Sequence, residues 1–433
     1  MKPTFYIHTL GCDKNAVDSE KLAFSLQSAG FEPSYAPESA DAIIINTCGF
    51  IQPAKEESVD ALFEALSYKE ASPGTVIAAV GCLAQRYKKE IEEGIEGLDL
   101  ICGVDSADEA AKLLADMFGL SGTQASVQGR ALLEPETRHY AYLKISEGCS
   151  KFCTFCAIPS IRGPLASQSI GSLVSEAKTL AERGAKELIL IAQDTGSYGI
   201  DIYGKPMLPS LLSELCSISG INWIRIMYMY PESLNDEIID AIASLDKVLP
   251  YLDIPFQHAS DEMLAMMGRQ ATKESMYGLI NKLRRKIPDI AIRSTFICGF
   301  PGETRSHAAE LMEFLQNAKL DRVGVFEYSR EDGTKAYSMP NQVSEKEKQR
   351  RRAQIMLLQE EISESSLAER IGTSITAIID EEEAAGIYVA RSYLDAPEVD
   401  GCVYIYTQAP LKIGEFCTAH ITGSTAHDLE AEI

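Results

Sequence analysis

Over the first hundred residues, short apolar runs alternate with stretches of helical spacing. Phe5–Leu10 reads as a strand that stops at Gly11-Cys12, and Leu22, Leu26 and Ala29 then recur at helical intervals until Gly30. Ala42–Asn46 predicts a compact strand ending at Thr47-Cys48-Gly49, followed by a helix over Ala54–Tyr68. Thr75–Val80 predicts a third strand ending at Gly81-Cys82, with another helix from Ala84. The pattern is that of an open parallel α/β sheet over residues 1–120. Each of these cysteines follows the carboxyl end of a strand, the edge at which such sheets bind ligands.

A small-and-polar stretch, Ser121–Gly129, opens a linker assigned to 121–136. A second alternation fills 137–368, with strands expected at Ala141–Ser146, Glu187–Gln193, Asn222–Tyr228, Tyr251–Phe256, Ala291–Ile297 and Arg322–Tyr328. Amphipathic helices such as Ser169–Arg183 and Ser233–Leu245 fill the gaps, predicting a partial (β/α)6 barrel with its chemistry at the strands' C-terminal ends. Ser344 opens a long charged helix with a capping-box pattern to Glu347, running to about Glu369. Over 369–433 the pattern turns short, β-branched and turn-rich (Ser374–Ile379, Gly386–Ala390, Gly401–Tyr406, Phe416–Thr422), predicting a small all-β, OB-like barrel.

Composition narrows the classes. The 433 residues are 45% hydrophobic and 24% charged, an ordinary globular balance. A net charge of −23 disfavours a purely electrostatic grip on phosphates. No apolar run reaches membrane-spanning length, and Met-Lys-Pro-Thr lacks a signal-peptide apolar region, so a cytoplasmic location is expected. Eleven cysteines without a secretory signal point to metal-binding or packing thiols rather than disulfides.

The sharpest chemical signal is Gly148-Cys149-Ser-Lys-Phe-Cys153-Thr-Phe-Cys156, directly after the first barrel strand. Zinc sites usually pair two Cys-x2-Cys knuckles, and no second knuckle exists here. Three thiolates instead suit an iron–sulfur cube with one iron left open. Cys12, Cys48 and Cys82 form a second set of three, each beside a glycine. Any one of them alone would be read as a small buried hydrophobe. Cys102, Cys216, Cys298, Cys402 and Cys417 have no partners at ligand spacing and are read as packing residues, as is Trp223.

The Cys-x3-Cys-x2-Cys loop, with Phe155 before its last cysteine, resembles that of the radical S-adenosylmethionine (SAM) enzymes. The resemblance implies a 4Fe-4S cluster on Cys149, Cys153 and Cys156, whose open iron chelates SAM. It also implies that one electron cleaves SAM to methionine and a 5′-deoxyadenosyl radical. Leu10-Gly-Cys-Asp-Lys-Asn-Ala-Val-Asp-Ser-Glu20, Asn46-Thr-Cys-Gly-Phe50 and Val80-Gly-Cys-Leu-Ala-Gln85 resemble the N-terminal signature of the methylthiotransferases. Gly299-Phe-Pro-Gly-Glu-Thr304 and a terminal module similar to a TRAM domain extend the match over essentially the whole chain. That resemblance implies a second 4Fe-4S cluster on Cys12, Cys48 and Cys82 that supplies or carries the inserted sulfur, while a second SAM donates the methyl group.

Methylthiotransferases act either on tRNA or on an aspartate β-carbon of a small-subunit ribosomal protein of the uS12 type. The N-terminal segment, with Asp13 where proline is usual, and Pro255-Phe-Gln-His-Ala-Ser-Asp261 both resemble the protein-modifying branch. Residues 369–433 carry twelve acidic against three basic residues, a net −9 that would repel RNA and suit a basic ribosomal protein. Asp380–Glu383 reads equally well as a mere solvated turn. The basic clusters Lys346, Lys348 and Arg350–Arg352, and Arg284–Lys286, are read as solvated helix faces laced with glutamates, with contact to RNA, such as that of the ribosome, the alternative. A tRNA methylthiotransferase and a non-catalytic iron–sulfur relay remain the alternatives. Gln193 and Asp194 are candidate contacts to the SAM amino group, with turn capping the alternative for Asp194. His258, beside Gln257, is a candidate proton-handling group or a merely satisfied histidine. Gly299 and Gly302 are candidates for close backbone approach to a cofactor.

Overall fold

The computed structural model describes residues 2–104, 107–120, 129–131, 133 and 139–433. Of the expected linker, only 129–131 and 133 fall among these; the rest lies outside the described residues. Arg130, inside that stretch, is buried: its Nε donates to Glu20 at 2.6 Å and its Nη1 lies 3.2 Å from Glu176.

The N-terminal sheet contains β1 (Thr4–Thr9), β2 (Glu32–Pro33), β3 (Ala42–Thr47), β4 (Val76–Gly81) and β5 (Leu100–Ile101), all parallel, in the order β2-β1-β3-β4-β5. The strand order reverses between β1 and β3, the switch point where such sheets open a crevice. Cys12 caps helix α1 (Asp13–Ser28), Cys48 precedes α2 (Gln52–Ala71), and Cys82 begins α3 (Cys82–Arg86).

The central sheet is also parallel. It runs through β6 (Tyr140–Lys144), β9 (Glu187–Ile191), β10 (Trp223–Ile226), β11 (Val248–Asp253), β12 (Ala291–Cys298) and β13 (Arg322–Glu327) in sequence order, a six-stranded partial barrel. A short hairpin, β7 (Ser146–Glu147) with β8 (Ala166–Ser167), brackets the Cys149–Cys156 loop. Leu188, Leu190, Ile224, Ile226, Leu252 and Ile292 pack beneath the outer helices. Their alternates Ile189, Ile191, Met227, Tyr251 and Ala291 face the other way, as the strand period requires.

That inner face is covered at its lower end by the C-terminal module. The module is a closed barrel of β14 (Ser374–Ala384), β15 (Ile387–Ser392), β16 (Val403–Tyr406), β17 (Phe416–Ser424) and β18 (Leu429–Glu432), ordered β14-β15-β16-β18-β17. Arg225 donates to the carbonyls of Tyr393 (2.7 Å) and Ser392 (3.1 Å), and Arg322 pairs with Asp395 at 2.6 Å. Trp223 is therefore not a core residue of one module. It is half-buried where the modules meet, edge-on to Phe416 with ring centroids 4.8 Å apart.

Three local expectations are corrected. Ser344 precedes the helix Glu345–Ala368 but forms no side-chain cap, and the reciprocal half of a capping box is absent too, since Glu347 is drawn away to Arg350 and Arg351. Lys348 and Arg351 are not on a solvated face. The helix closes the barrel edge, so Lys348 Nζ donates to the Tyr328 carbonyl (2.7 Å) and Arg351 pairs with Glu303 (2.9 Å), both buried. Asp380–Glu383 is no turn but part of β14. Asp380 pairs with Arg391 (2.8 Å) and His139 (2.5 Å), while Glu381–Glu383 stay exposed.

Candidate functional site

The three N-terminal cysteine loops interlock through glycines. A Cβ at Gly11 would lie 2.8 Å from Cys48 Sγ, and one at Gly49 would lie 2.8 Å from Leu83 Cα. Gly81 has φ +92°, and a Cβ there would lie 2.3 Å from Asn46 Oδ1. Glycine beside each cysteine is thus a packing requirement of the cradle. Burial pushes the Cys82 thiol up to about 11, and the neighbouring Cys12 and Cys48 add to the rise. Cys48 is raised in the same way, by burial first and Cys12 among the further causes. The three thiols therefore lie within electrostatic reach of one another. Cys12 is exposed, whereas Cys48 and Cys82 are buried.

The second loop is fixed at several points. Cys149 N–H donates to the Gly163 carbonyl (3.1 Å), Thr154 N–H to that of Met267 (3.0 Å) and Cys156 N–H to that of Cys153 (3.1 Å). Cys153 Sγ lies 3.1 Å from the Tyr230 hydroxyl, and the Arg269 guanidinium stacks on the Tyr230 ring at 3.5 Å. Burial pushes the Cys156 thiol up to about 12, with Cys153 and Cys149 adding to the rise. Phe155 packs beside Met263, Met267, Phe300 and Tyr328, anchoring the loop rather than presenting a free ring.

The other candidates separate into two groups. Gln193 Nε2 donates to Glu147 Oε1 (2.7 Å), while its own Oε1 is buried and has no partner among the described residues. Gln257 holds a left-handed backbone (φ +75°) past β11, and its Oε1 is likewise without a partner. These orphaned acceptors suit a donor-bearing ligand. Asp194, by contrast, is saturated. It accepts from Gly196 N–H (3.2 Å), Ser197 (2.5 Å), Tyr230 N–H (3.1 Å) and Ser233 (2.7 Å), and Lys151 Nζ lies at 3.3 Å. The carboxylate clamps the turn after β9 onto the segment after β10.

His258 has no exposure, its Nδ1 accepts from Ser260 N–H (2.9 Å), and burial, then His307 and Arg351, push it down to about 3. It stays neutral, and its Nε2 is buried with no partner among the described residues, so it is not a fully satisfied histidine. Gly299 and Gly302 have left-handed φ of +74° and +84°, yet the close approach at Gly299 comes from within the chain. A Cβ there would lie 2.3 Å from Lys348 Cγ, and one at Gly302 would lie 3.3 Å from Met266 Cε. Cys298 is fully buried against the Lys348 carbonyl.

A polar network that spacing alone did not reveal links the two cysteine sites. Arg162 donates through Nε to Cys82 Sγ (3.3 Å), through Nη2 to Asn15 Oδ1 (2.5 Å), and through Nη1 to Asp18 (2.9 Å) and Glu147 (2.8 Å). Lys144 Nζ bridges Asp18 and Glu147 from the other side. Burial acts to raise the Glu147 carboxyl, but Lys144 and Arg162 hold it down at about 2. One clue did exist: Asn15 and Asp18 sit three residues apart on α1, hence on one face.

Among the described residues, no group of three or more His, Cys, Asp or Glu side chains is arranged to hold a single metal ion. The fit to clusters rests instead on donor chemistry: two sets of three thiols, each set within electrostatic reach of its own members.

Comparison with known proteins agrees with this layout. The chain matches the family models for uncharacterized protein family UPF0004 over residues 4–103, the radical SAM superfamily over 143–315 and the TRAM domain over 371–433. Among solved structures, the radical SAM methyltransferase TsrM of Kitasatospora setae shares the fold (TM-score 0.56, 13% identity, 75% of this chain and 73% of that one). The cobalamin-dependent SAM radical enzyme OxsB is similar too (TM-score 0.52, 13% identity, 78% of this chain and 54% of that one). Fold and site together define a radical SAM enzyme with an added N-terminal α/β domain and a TRAM barrel. Curated relatives named ribosomal protein uS12 methylthiotransferase RimO include those of Lachnoclostridium phytofermentans (43% identical, 98% of each chain), Clostridium kluyveri (44%, 97% of this chain and 96% of that one) and Acetivibrio thermocellus (41%, 100% and 99%). The chain belongs to the RimO family of radical SAM methylthiotransferases. Its cofactors are SAM and 4Fe-4S clusters. No helix among the described residues is long and apolar enough to cross a membrane.

Proposed function

We propose that this enzyme inserts a methylthio group at the β-carbon of an aspartate in the small-subunit ribosomal protein uS12, in the cytoplasm. The observation that carries the reading is the likeness over nearly the whole chain to relatives named for uS12 methylthiolation. Within the site, one guanidinium, that of Arg162, spans from Cys82 to the carboxylate preceding the Cys149 loop, which supports two cysteine sites serving one reaction. Cys149, Cys153 and Cys156 would hold the cluster that binds SAM, and Cys12, Cys48 and Cys82 would hold the cluster that carries sulfur. When bound, these groups supply a carbon-centred radical able to take hydrogen from an unactivated C–H bond, together with the sulfur to be inserted.

The chain's own residues position these events. The unpartnered Gln193 Oε1 would accept from the ammonium group of a bound SAM, while Glu147 holds the same amide by its other end. Asp194 acts one step removed, fixing Tyr230 and Ser233 at the mouth. Exposed Glu381–Glu383 give the TRAM barrel an acidic rim suited to a basic ribosomal protein and unsuited to RNA phosphates.

The test is made without oxygen, on protein reconstituted with iron and sulfide and supplied with SAM, reductant and either a uS12 loop peptide or a tRNA anticodon stem-loop. A methylthio mass gain on the peptide's aspartate is expected. A gain on the RNA alone overturns the protein substrate, and no SAM cleavage under strong reductant overturns the enzymatic reading.

A further inference from the structure

Arg162 touches a thiol of the N-terminal set and the carboxylate two residues before the Cys149 loop, and its side chain is 2% exposed. Three of its four acceptors, Cys82, Asn15 and Asp18, belong to the N-terminal domain. The fourth, Glu147, is two residues before Cys149 and also receives Gln193. Charge neutralisation alone does not account for this placement. Lys144 already contacts both Asp18 and Glu147, and it makes no contact with the thiol. What Arg162 adds is a donor on sulfur, delivered by a rigid fork that still reaches two carboxylates.

Resting on the cluster assignment above, we propose that Arg162 is a positioning residue for the methylthiolation. Its N–H···S bond to Cys82 raises the reduction potential of the N-terminal cluster, and its bond to Glu147 keeps the Cys149 loop and Gln193 in register with that cluster. A reduced cluster carries one more negative charge than an oxidised one. A buried cation donating a hydrogen bond to a ligating sulfur stabilises the reduced form more, so the potential rises. Because Glu147 ties the same guanidinium to the SAM-side loop, any shift of one site is felt at the other.

The experiment uses the full chain carrying Cys153→Ala, so that only the N-terminal cluster is loaded. Iron content and the midpoint potential, from an EPR-monitored redox titration, are compared for Arg162, Arg162→Lys and Arg162→Gln. About four irons per chain are expected, with the potential falling from Arg through Lys to Gln. In the fully loaded enzyme, Arg162→Gln is expected to cleave severalfold more SAM per methylthio group formed. Absence of iron in the Cys153→Ala chain itself would sink the cluster assignment. Iron retained with three equal potentials would overturn the role of Arg162 and leave the assignment standing. Loss of iron from both Arg162 variants, with the fold intact by circular dichroism, would make Arg162 a cluster-retaining residue and overturn the proposal equally.

Discussion

Nη1 of Arg391 lies 2.6 Å from Oε2 of Glu187, and the two side chains are 4% and 0% exposed. Through this contact the TRAM barrel grips the first residue of β9, at the end of the sheet opposite the cysteines. The other Glu187 oxygen accepts from Arg225 Nε at 2.8 Å, and Arg225 in turn holds the TRAM carbonyls. Arg293 and Arg322, also near the starts of their strands, pair with Asp400 and Asp395. Part of the module's acidity is thus spent inside the protein, docking the barrel and leaving the mouth open.

Removing the Glu187 carboxylate leaves two buried guanidiniums without their shared partner. Glu187→Ala is expected to cost about 3–5 kcal/mol in denaturant unfolding, as for other broken buried pairs. Burial acts to raise the carboxyl, but Arg391 and Arg225 hold it below its ordinary 4.5. A depressed carboxyl stabilises the fold fully above its unfolded value and loses that contribution as pH falls through the folded one. The stability gap between the parent and Glu187→Gln should therefore be full at neutral pH and narrow as acid is added below 4.5.

Much of this arrangement could be read from the sequence, because it followed from local pattern. The strand ends that place Cys12, Cys48 and Cys82 were marked by apolar runs halted at glycine, and the structure keeps those runs as β1, β3 and β4. Legibility failed where polar residues do the packing. The inward stripe of the helix Glu345–Ala368 includes Lys348, Arg351, Gln359 and Ser363, so hydropathy marked it as a solvated face. β18 was missed because Leu429–Glu432 alternates with only two apolar residues and depends on closing the barrel. Arg162 and Asn15 lie far apart in sequence, and no local signal announces that they meet. The same holds for the saturation of Asp194, whose turn-capping alternative has the fuller set of contacts.

Single cysteine substitutions should separate the two sites. Cys153→Ala removes a thiol from the SAM-side loop and is expected to abolish SAM cleavage. Cys48→Ala, in the N-terminal cradle, should spare cleavage and stop sulfur insertion. Chromatography for deoxyadenosine and mass spectrometry of the peptide read the two steps independently. Undiminished thiolation by Cys48→Ala would count against the sulfur-carrying role.

The glycine cradle offers a test that needs no turnover. Asn46, whose Oδ1 is the atom nearest a Cβ at Gly81, is itself buried and donates through Nδ2 to the Asn15 carbonyl (2.9 Å) and Ser19 Oγ (2.8 Å), so it cannot swing aside. Gly81→Ala adds this clash to the strain of a positive φ, itself worth about 1–3 kcal/mol. Reduced iron retention and a lower melting temperature are expected. Gly74→Ala, where a Cβ meets nothing within 4 Å, serves as the control and should change neither.

Charge reversal on β14 distinguishes a docking rim from a structural strand. Glu381, Glu382 and Glu383 are exposed, so Glu381→Lys, Glu382→Lys and Glu383→Lys together should leave the melting temperature nearly unchanged. Rim charges act on encounter rather than on chemistry. Association with the basic uS12 protein should slow at low ionic strength, and the deficit should close toward about 1 M salt, where screening shortens to roughly 3 Å. The rate at saturating substrate should not move. Asp380→Asn, one residue away, should behave in the opposite way. Burial acts to raise that carboxyl, while His139 and Arg391 hold it below 3.8, and its contacts to both join β14 to β15 and to the barrel. Its loss should lower stability while leaving the salt dependence of association intact. If the triple reversal left association unchanged at every salt concentration, the acidic rim would have no part in choosing the substrate.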